Sequence, residues 1–549
     1  MSEQRLDALL LSDEGVAPGF KRNLDWMTLL PRASRSSFLW KHGSWPSAGS
    51  RQLALAMLTG ALRDAGLSVR TLDNFLRFSL RREEFLETLR RDRPRVVGIS
   101  TSLLLWPAAI LEACRLIREN SPDSAVVLGG SSVAQFEEIR QAADVCVVSG
   151  GVRGMVAACR AARGEASWQS VPGAFVKDAS GALVRSADPG WDDLSSTPLP
   201  AWDYGDKPAG PGLYFLETQR GCPYHCAFCT FPVYQGPARQ KPMERVLQEI
   251  RRNGELFGIN EYFFIDSTFT APRSHALEFC RSVAGRFPSL RWGCYARADN
   301  LDAELCGALK DAGCRFLYIG MESGDQGMLD AMKKDCDLRA ARDGLKAARE
   351  AGLALYVSFL AGFPGETEQT LRNTREFLKE TKPHLFGISP FWMDDNAPVG
   401  SQREPLGLQG ERAQWSHRTW KAEELRATAK SWVADIIAAR ECIIGNIPSV
   451  AEWALLGVGL ERALGLHVQT SILVGGDIAA SLGRRELYPE AERKDCLASL
   501  RKAVQETAAR RKALSTDLGY SLSPGRESPT LRSLLKRHAA YPLLQSNVR

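Results

Sequence analysis

Between residues 213 and 392 the chain repeats one pattern, a short apolar run followed by a stretch whose apolar residues recur at helical spacing. The apolar runs are LYFLETQ, EYFFIDSTF (261 to 269), RWGCYARAD (291 to 299), FLYIGMESG (316 to 324), LALYVSFLAGFPGET (353 to 367) and FGISPFW (386 to 392). SHALEFCRSVAGRF and AELCGALKDAGC are two of the helical stretches between them. A strand can pair in parallel with the next only if a crossover carries the chain back, so strict alternation dictates a parallel α/β sheet and excludes hairpins. Six such units predict an open, partial (β/α)6 barrel, with ligands gathered at the carboxyl ends of the strands.

A second alternation runs from about 36 to 163: SSFLWK, a helix to Ala65, LSVRTLDN, a charged helix, RVVGIS, a helix to Glu119, AVVLGGSS, a helix, and VCVVSGG. This predicts a doubly wound, Rossmann-like sheet whose ligand-facing loops are GISTSLL, LGGSSV and SGGVRG. Gly129, Gly130, Gly150 and Gly151 would let a bulky or phosphorylated group approach the backbone there. Residues 1–35 read as an N-terminal extension. Residues 164–212 read as a hairpin, AFVK–DASG–ALVR, followed by a linker rich in Pro, Gly, Asp and Ser. Residues 393–549 read as a loop-rich and then helical C-terminal domain, with amphipathic packing helices in KAEELRATAKSWVADIIAARECII and over 491–514. The loop-rich part bunches Trp415, His417 and Trp420, which could cover the barrel mouth, although an isolated histidine reads first as an ordinary hydrogen-bonded one.

At 549 residues and 44% hydrophobic content the chain can bury several cores. A net charge of +6, with no basic block, does not favour nucleic acid as a partner. No segment approaches the ~20 apolar residues needed to span a bilayer, and the amino terminus is not a secretory signal. These features predict a cytoplasmic protein.

The chemistry-bearing motif is ETQRGCPYHCAFCTFP, where Cys222, Cys226 and Cys229 have the spacing CxxxCxxC. Three thiolates can hold three irons of a cubane and leave the fourth open to chelate a small reagent. Structural zinc also uses clustered cysteines, but it wants four ligands, commonly from two CxxC pairs; no second pair occurs, and His225 lies inside the same loop. A disulfide framework fits poorly, since the 13 cysteines are odd in number and scattered through apolar stretches.

Following LYFLETQ and carrying Phe228 just before its last cysteine, this loop resembles the cluster loop of radical S-adenosylmethionine (SAM) enzymes. The resemblance implies a [4Fe-4S] cluster whose open iron binds SAM and whose electron cleaves it to a 5′-deoxyadenosyl radical. It also implies cofactor contacts from Phe228, from Glu322 and Ser323 in IGMESG, and from Arg297 in ARAD, whose guanidinium could meet the SAM carboxylate. AGFPGET would form a tight turn beside the cofactor, with Glu366 and Thr367 opening the next helix. Tyr295, Asp266 and Glu261 lie near the expected mouth without a nameable role.

The preceding domain resembles the cobalamin-binding domain found before the barrel in many radical SAM enzymes. Ser102 and Leu104 are similar to the pair after the third strand, and Gly129 with Gly130 to the glycines lining the dimethylbenzimidazole tail. The motif DxHxxG is absent; the only histidine near the expected first strand is His42, so the resemblance implies a base-off corrinoid without a histidine on its lower face. Together the two domains imply a cobalamin-dependent radical SAM C-methyltransferase: one SAM methylates Co(I), and in the usual form a second yields the radical that opens a substrate carbon to the methyl group. The implied substrate is a small molecule or peptide in natural-product biosynthesis, and the implied partner is a low-potential electron donor such as flavodoxin or ferredoxin. A non-methylating relative that cyclises, rearranges or oxidises, and a non-catalytic cluster or cobalamin sensor, remain open alternatives. A methylthiotransferase would need a second cluster, and Cys114, Cys146 and Cys159 fall apart from one another on predicted helices and strands.

Overall fold

The computed structural model describes residues 5–12, 52–73, 79–102, 107–205 without 187 and 189, 213–439, and a discontinuous set between 462 and 502. Its first sheet has seven strands: β1 (Ala8–Ser12), β2 (Val69–Asp73), β3 (Val96–Ser100), β4 (Ala125–Gly129), β5 (Val145–Val147), β6 (Ala174–Lys177) and β7 (Leu183–Arg185). Their order is β2-β1-β3-β4-β5-β6-β7. The first five are parallel and the last two antiparallel.

The first domain departs from the pattern of its sequence at two places. The sheet's first strand is Ala8–Ser12, inside the segment read as an extension, while SSFLWK lies outside the described residues. A central strand is covered on both faces, so it shows a continuous apolar run with no alternation to announce it. Ala8 and Leu10 pack toward the helices Leu53–Asp64 and Gly151–Ala162, and Leu9 and Leu11 toward the helix Pro107–Asn120 on the other face. The hairpin after residue 164, in turn, is no separate linker element. β6 pairs with β5 and extends the first sheet, its turn closed by Asp178 Oδ1 accepting from Ser180 N and Ala182 N.

The barrel begins with β8 (Leu213–Leu216), followed by a small two-stranded pair, β9 (Gln219–Arg220) with β10 (Arg239–Gln240). It continues through β11 (Glu261–Phe264), β12 (Arg291–Ala296), β13 (Cys314–Glu322), β14 (Ala354–Ala361) and β15 (Leu385–Pro390). These six barrel strands are all parallel, in the order β15-β14-β13-β12-β11-β8, and β8 and β15 remain open edges. A hairpin of β16 (Gln409–Glu411) and β17 (Gln414–Ser416) and the helix Ala422–Ala438 follow. The two α/β units share one core: Leu10 and Met155 of the first, Trp202 of the connection and Tyr214 of β8 belong to the same buried cluster. Trp202 meets Tyr214 edge-on at 4.9 Å between ring centroids.

Candidate active site

The loop after β8 carries the three cysteines and is tied at its base and its crest. At its base Gly221 (φ 87°) abuts the Pro237 carbonyl so closely that any side chain would overlap it. At its crest Ala227 N donates to Met332 O (2.8 Å), and Ala227 O accepts from Val399 N (2.8 Å). Phe231 N donates to Cys229 Sγ at 3.4 Å. Burial pushes the Cys226 thiol up and the Cys229 thiol up to about 11, so neither ionises at neutral pH without positive charge beside it. Iron supplies that charge. Among the described residues no three His, Cys, Asp or Glu side chains stand close enough to share one ion. A cubane, which spreads its thiolates over separate irons, fits this loop better than zinc does.

Beneath the loop lies a buried network that the sequence motifs did not single out. Asp266 accepts from Thr218 N (2.8 Å), Gln219 N (3.1 Å) and the Thr218 hydroxyl, which also meets His275 Nε2 at 2.9 Å. Burial pushes Asp266 up to about 7. The available signal was a lone acid directly after the apolar run YFFI, where a buried strand end makes a carboxyl depend on backbone donors. Glu261, in contrast, begins β11 and therefore sits at the end of the barrel opposite the mouth.

Several expected cofactor contacts take other duties. Glu322 ends β13 in the left-handed region (φ 67°), partly exposed, with Lys334 Nζ at 3.5 Å, near enough for its charge to act on the Cys226 thiol. A strained acid beside the cluster loop suits a cofactor contact. Arg297 is committed elsewhere: it forks onto Asp299 (3.1 and 2.7 Å), donates to Asp335 O (2.7 Å) and lies 3.9 Å over the ring of Tyr224 in the cluster loop. It braces that loop and is 4% exposed, with its fork taken up by Asp299. Ser323 is fully buried; its hydroxyl meets Thr374 (3.3 Å) and accepts from Asp325 N, fastening the strand end to the helix Glu368–Thr381. Phe228 packs edge-on to Phe363 at 6.5 Å, joining the cluster loop to the GFPGET turn. In that turn Thr367 caps the helix, whereas Glu366 folds back to accept from Gly362 N. His417 is buried, stacked on Trp415 (4.9 Å, 5°) and bonded to Gly362 O at 3.0 Å, so the C-terminal hairpin clamps the turn from outside.

In the first domain, the order β2-β1-β3 reverses the direction in which successive strands are laid down between β1 and β3, which is where doubly wound sheets place ligands. Two buried hydroxyls without a hydrogen-bond partner flank that point, Ser12 Oγ at the end of β1 and Thr101 Oγ1 just after β3. Orphaned hydroxyls at a switch point fit a polar group that docks there. Ser102 is exposed beside them, and Leu104 lies outside the described residues. A side chain at Gly129 would meet nothing nearer than 3.8 Å and one at Gly151 nothing within 4 Å, so both leave the open space a ligand needs. Gly130 and Gly150 do not: Gly130 (φ 115°) is filled by the Ser102 backbone, and Gly150 (φ 59°) by the Gly190 carbonyl of the connecting segment.

The carboxyl edge of this sheet faces the barrel mouth. The Gln135 side chain bonds the phenol of Tyr234, five residues beyond Cys229 in the helix Phe231–Gln235, and Arg412 lies 4.4 Å over the Phe136 ring. Below them Arg220 grips Glu217 (2.7 and 2.7 Å) and Asp192 (2.8 Å), while Asp192 also accepts from Arg153 N at the start of the helix Gly151–Ala162.

Segment 216–378 matches the radical SAM superfamily, and segment 50–159 matches the B12 binding domain. The chain therefore combines a radical SAM domain with a B12 binding domain, which gives it a [4Fe-4S] cluster, SAM and cobalamin as its cofactors. It is similar to an uncharacterized methyltransferase of Pyrococcus horikoshii, 27% identical over 60% of this chain and 73% of that one. It is also similar to the anaerobic magnesium-protoporphyrin IX monomethyl ester cyclase of Cereibacter sphaeroides, 26% identical over 64% of this chain and 59% of the cyclase. Its fold is shared by the radical SAM methyltransferase TsrM of Kitasatospora setae, solved with cobalamin and a [4Fe-4S] cluster bound (TM-score 0.64, 17% identity, 87% of this chain and 100% of that one). No described helix is long and apolar enough to cross a membrane.

Proposed function

We propose that the chain transfers a methyl group from SAM, by way of cobalamin, to a carbon of a small-molecule or peptide substrate in natural-product biosynthesis. The observation that carries this reading is the apposition of the two cofactor-bearing faces, with Gln135 and Phe136 of the first sheet touching Tyr234 and Arg412 at the barrel mouth. When bound, the cluster and SAM supply radical chemistry and cobalamin supplies the methyl group. The chain's own residues position and seclude. Cys222, Cys226 and Cys229 hold the cluster loop's metal, Glu322 faces SAM, and Ser12, Thr101, Gly129 and Gly151 line the corrinoid's berth. Arg297 and His417 stiffen the loops around them, which preserves the geometry that a short-lived radical requires. A low-potential donor such as flavodoxin or ferredoxin would deliver the electrons.

Anaerobic incubation of the reconstituted protein with SAM, reductant and substrate should release S-adenosylhomocysteine and add the mass of one methylene unit to the product. A product changed without that gain would support the second reading, ring closure or oxidation, which the similarity to the cyclase favours.

A further inference from the structure

Three adjacent barrel strands place a tyrosine at the same height. Tyr295 of β12, Tyr318 of β13 and Tyr356 of β14 are direct partners in the parallel register, and their ring centroids stand 4.9 and 4.8 Å apart. Which way they face follows from burial along β13. Leu317, Ile319 and Met321 are fully buried under the outer helices, whereas the intervening Tyr318, Gly320 and Glu322 retain exposure. Since the outer face is covered, that exposure is to the lumen, and the strand alternation puts the tyrosines there. One layer lower, Phe263 and Phe316 close the barrel, Phe263 meeting Tyr295 edge-on at 5.0 Å.

The layer is shaped, not merely filled. On β15 the position beside this belt is Gly387, and any side chain there would overlap the Tyr356 hydroxyl. Above the rings come Ser358 and Gly320, small and neutral; the charge at the mouth, Glu322, is paired with Lys334. Tyr318 meets Ser358, but no hydrogen bond from the described residues reaches the hydroxyls of Tyr295 or Tyr356. Neither oxygen belongs to the buried atoms without a partner, so both open on the lumen. Burial pushes all three phenols up, so they stay protonated and able both to donate and to accept.

We propose that this tyrosine belt is the floor of the substrate pocket and that it receives a planar, uncharged aromatic group, stacked or edge-on against the rings and hydrogen-bonded by the open phenols. An aromatic surface favours ring contacts over aliphatic ones, and a neutral, half-dry lumen disfavours a charged head group, which would have to shed water with no counter-charge at this level. The proposal rests on the methyltransferase reading and narrows its substrate to aromatic or heteroaromatic compounds, or peptides presenting such a side chain.

The test uses 5-fluoroindole as probe, followed by fluorine NMR on anaerobically reconstituted holoprotein, with cyclohexanol as an aliphatic competitor. Saturable binding is expected that cyclohexanol does not displace. The triple variant Tyr295→Phe, Tyr318→Phe, Tyr356→Phe keeps every ring and removes the hydroxyls, and should weaken binding about fivefold to tenfold, the worth of one or two hydrogen bonds. Ser358→Leu, which fills the space above the floor, should abolish it, with the corrinoid absorption band confirming an intact protein. Absence of saturable binding, or affinity unchanged in both variants, overturns the proposal. Release of S-adenosylhomocysteine from SAM by the same samples, measured in parallel, separates the two readings: its presence without probe binding sinks the aromatic floor alone, and probe binding without it sinks methyl transfer alone.

Discussion

Asp266 and Glu366 are two buried carboxyls with opposite surroundings from the usual surface acid. Burial raises Asp266 from its ordinary 3.8 to about 7 and Glu366 from 4.5 to about 8. Each therefore binds a proton in the folded chain over a pH range where the unfolded chain has lost it. By linkage the fold loses stability as pH rises through that range, by up to about 1.4 kcal/mol per pH unit for each group, and levels off above pH 8. Asp266→Asn keeps an acceptor for Thr218 N and Gln219 N and removes the titration. Urea unfolding of this variant at pH 5, 6 and 7 should show a flatter dependence than the parent; an equal slope would mean that Asp266 is ionised throughout. The residue string shows an acid directly after the apolar run YFFI but not its proton affinity. A carboxyl's proton affinity depends on burial and on donors arriving from Thr218 and Gln219, 48 and 47 positions away.

At the scale of elements, local pattern foretold most of what the backbone does. Each barrel run contains a strand, although EYFFIDSTF and LALYVSFLAGFPGET continue five and six residues past theirs, because short apolar runs separated by helical spacing fit a layered α/β packing. It failed at β1, where ALLLS is too short and too uniformly apolar to show a period, and at β6 and β7, whose hairpin is legible but whose attachment to β5 is not. Glycines divide in the same way. Gly129 ends β4 and Gly150 follows β5, yet Gly129 leaves open space and Gly150 is pinned against Gly190. Gly150→Ala should therefore lower the midpoint of thermal unfolding by several degrees, through both overlap and its positive φ. Gly151→Ala, next in the chain, should leave that midpoint within a degree or so and instead reduce cobalamin retention on gel filtration.

At the scale of the molecule, the connection between the domains is an ionic knot within a shared core. Arg220 stands two residues before Cys222 and joins Glu217 to Asp192, whose other oxygen holds the helix that carries Gly151. These side chains are 14, 8 and 2% exposed, so removing the guanidinium leaves two carboxylates buried without their partner. Arg220→Met should cost about 3–5 kcal/mol and should uncouple the domains, giving two unfolding transitions by calorimetry where the parent gives one. A single transition of unchanged midpoint would mean that the knot carries no coupling.

The residue string alone specifies the set of elements and the chemistry available: two runs of alternating strands and helices, and three cysteines at a spacing suited to a cluster. Those follow from local rules, since hydrophobic period and ligand spacing act over a few residues. Which residues are engaged by neighbours depends on packing between distant segments. Arg297 and Ser323 sit where cofactor contacts were expected, but Asp299 and Thr374 claim them first. Tyr295, noted along the chain only as lying near the mouth, and Tyr318 and Tyr356, which drew no notice, become one surface because parallel pairing aligns strands that are some twenty to forty residues apart. Contact between distant segments is set by register and burial, and neither is written in any single stretch of sequence.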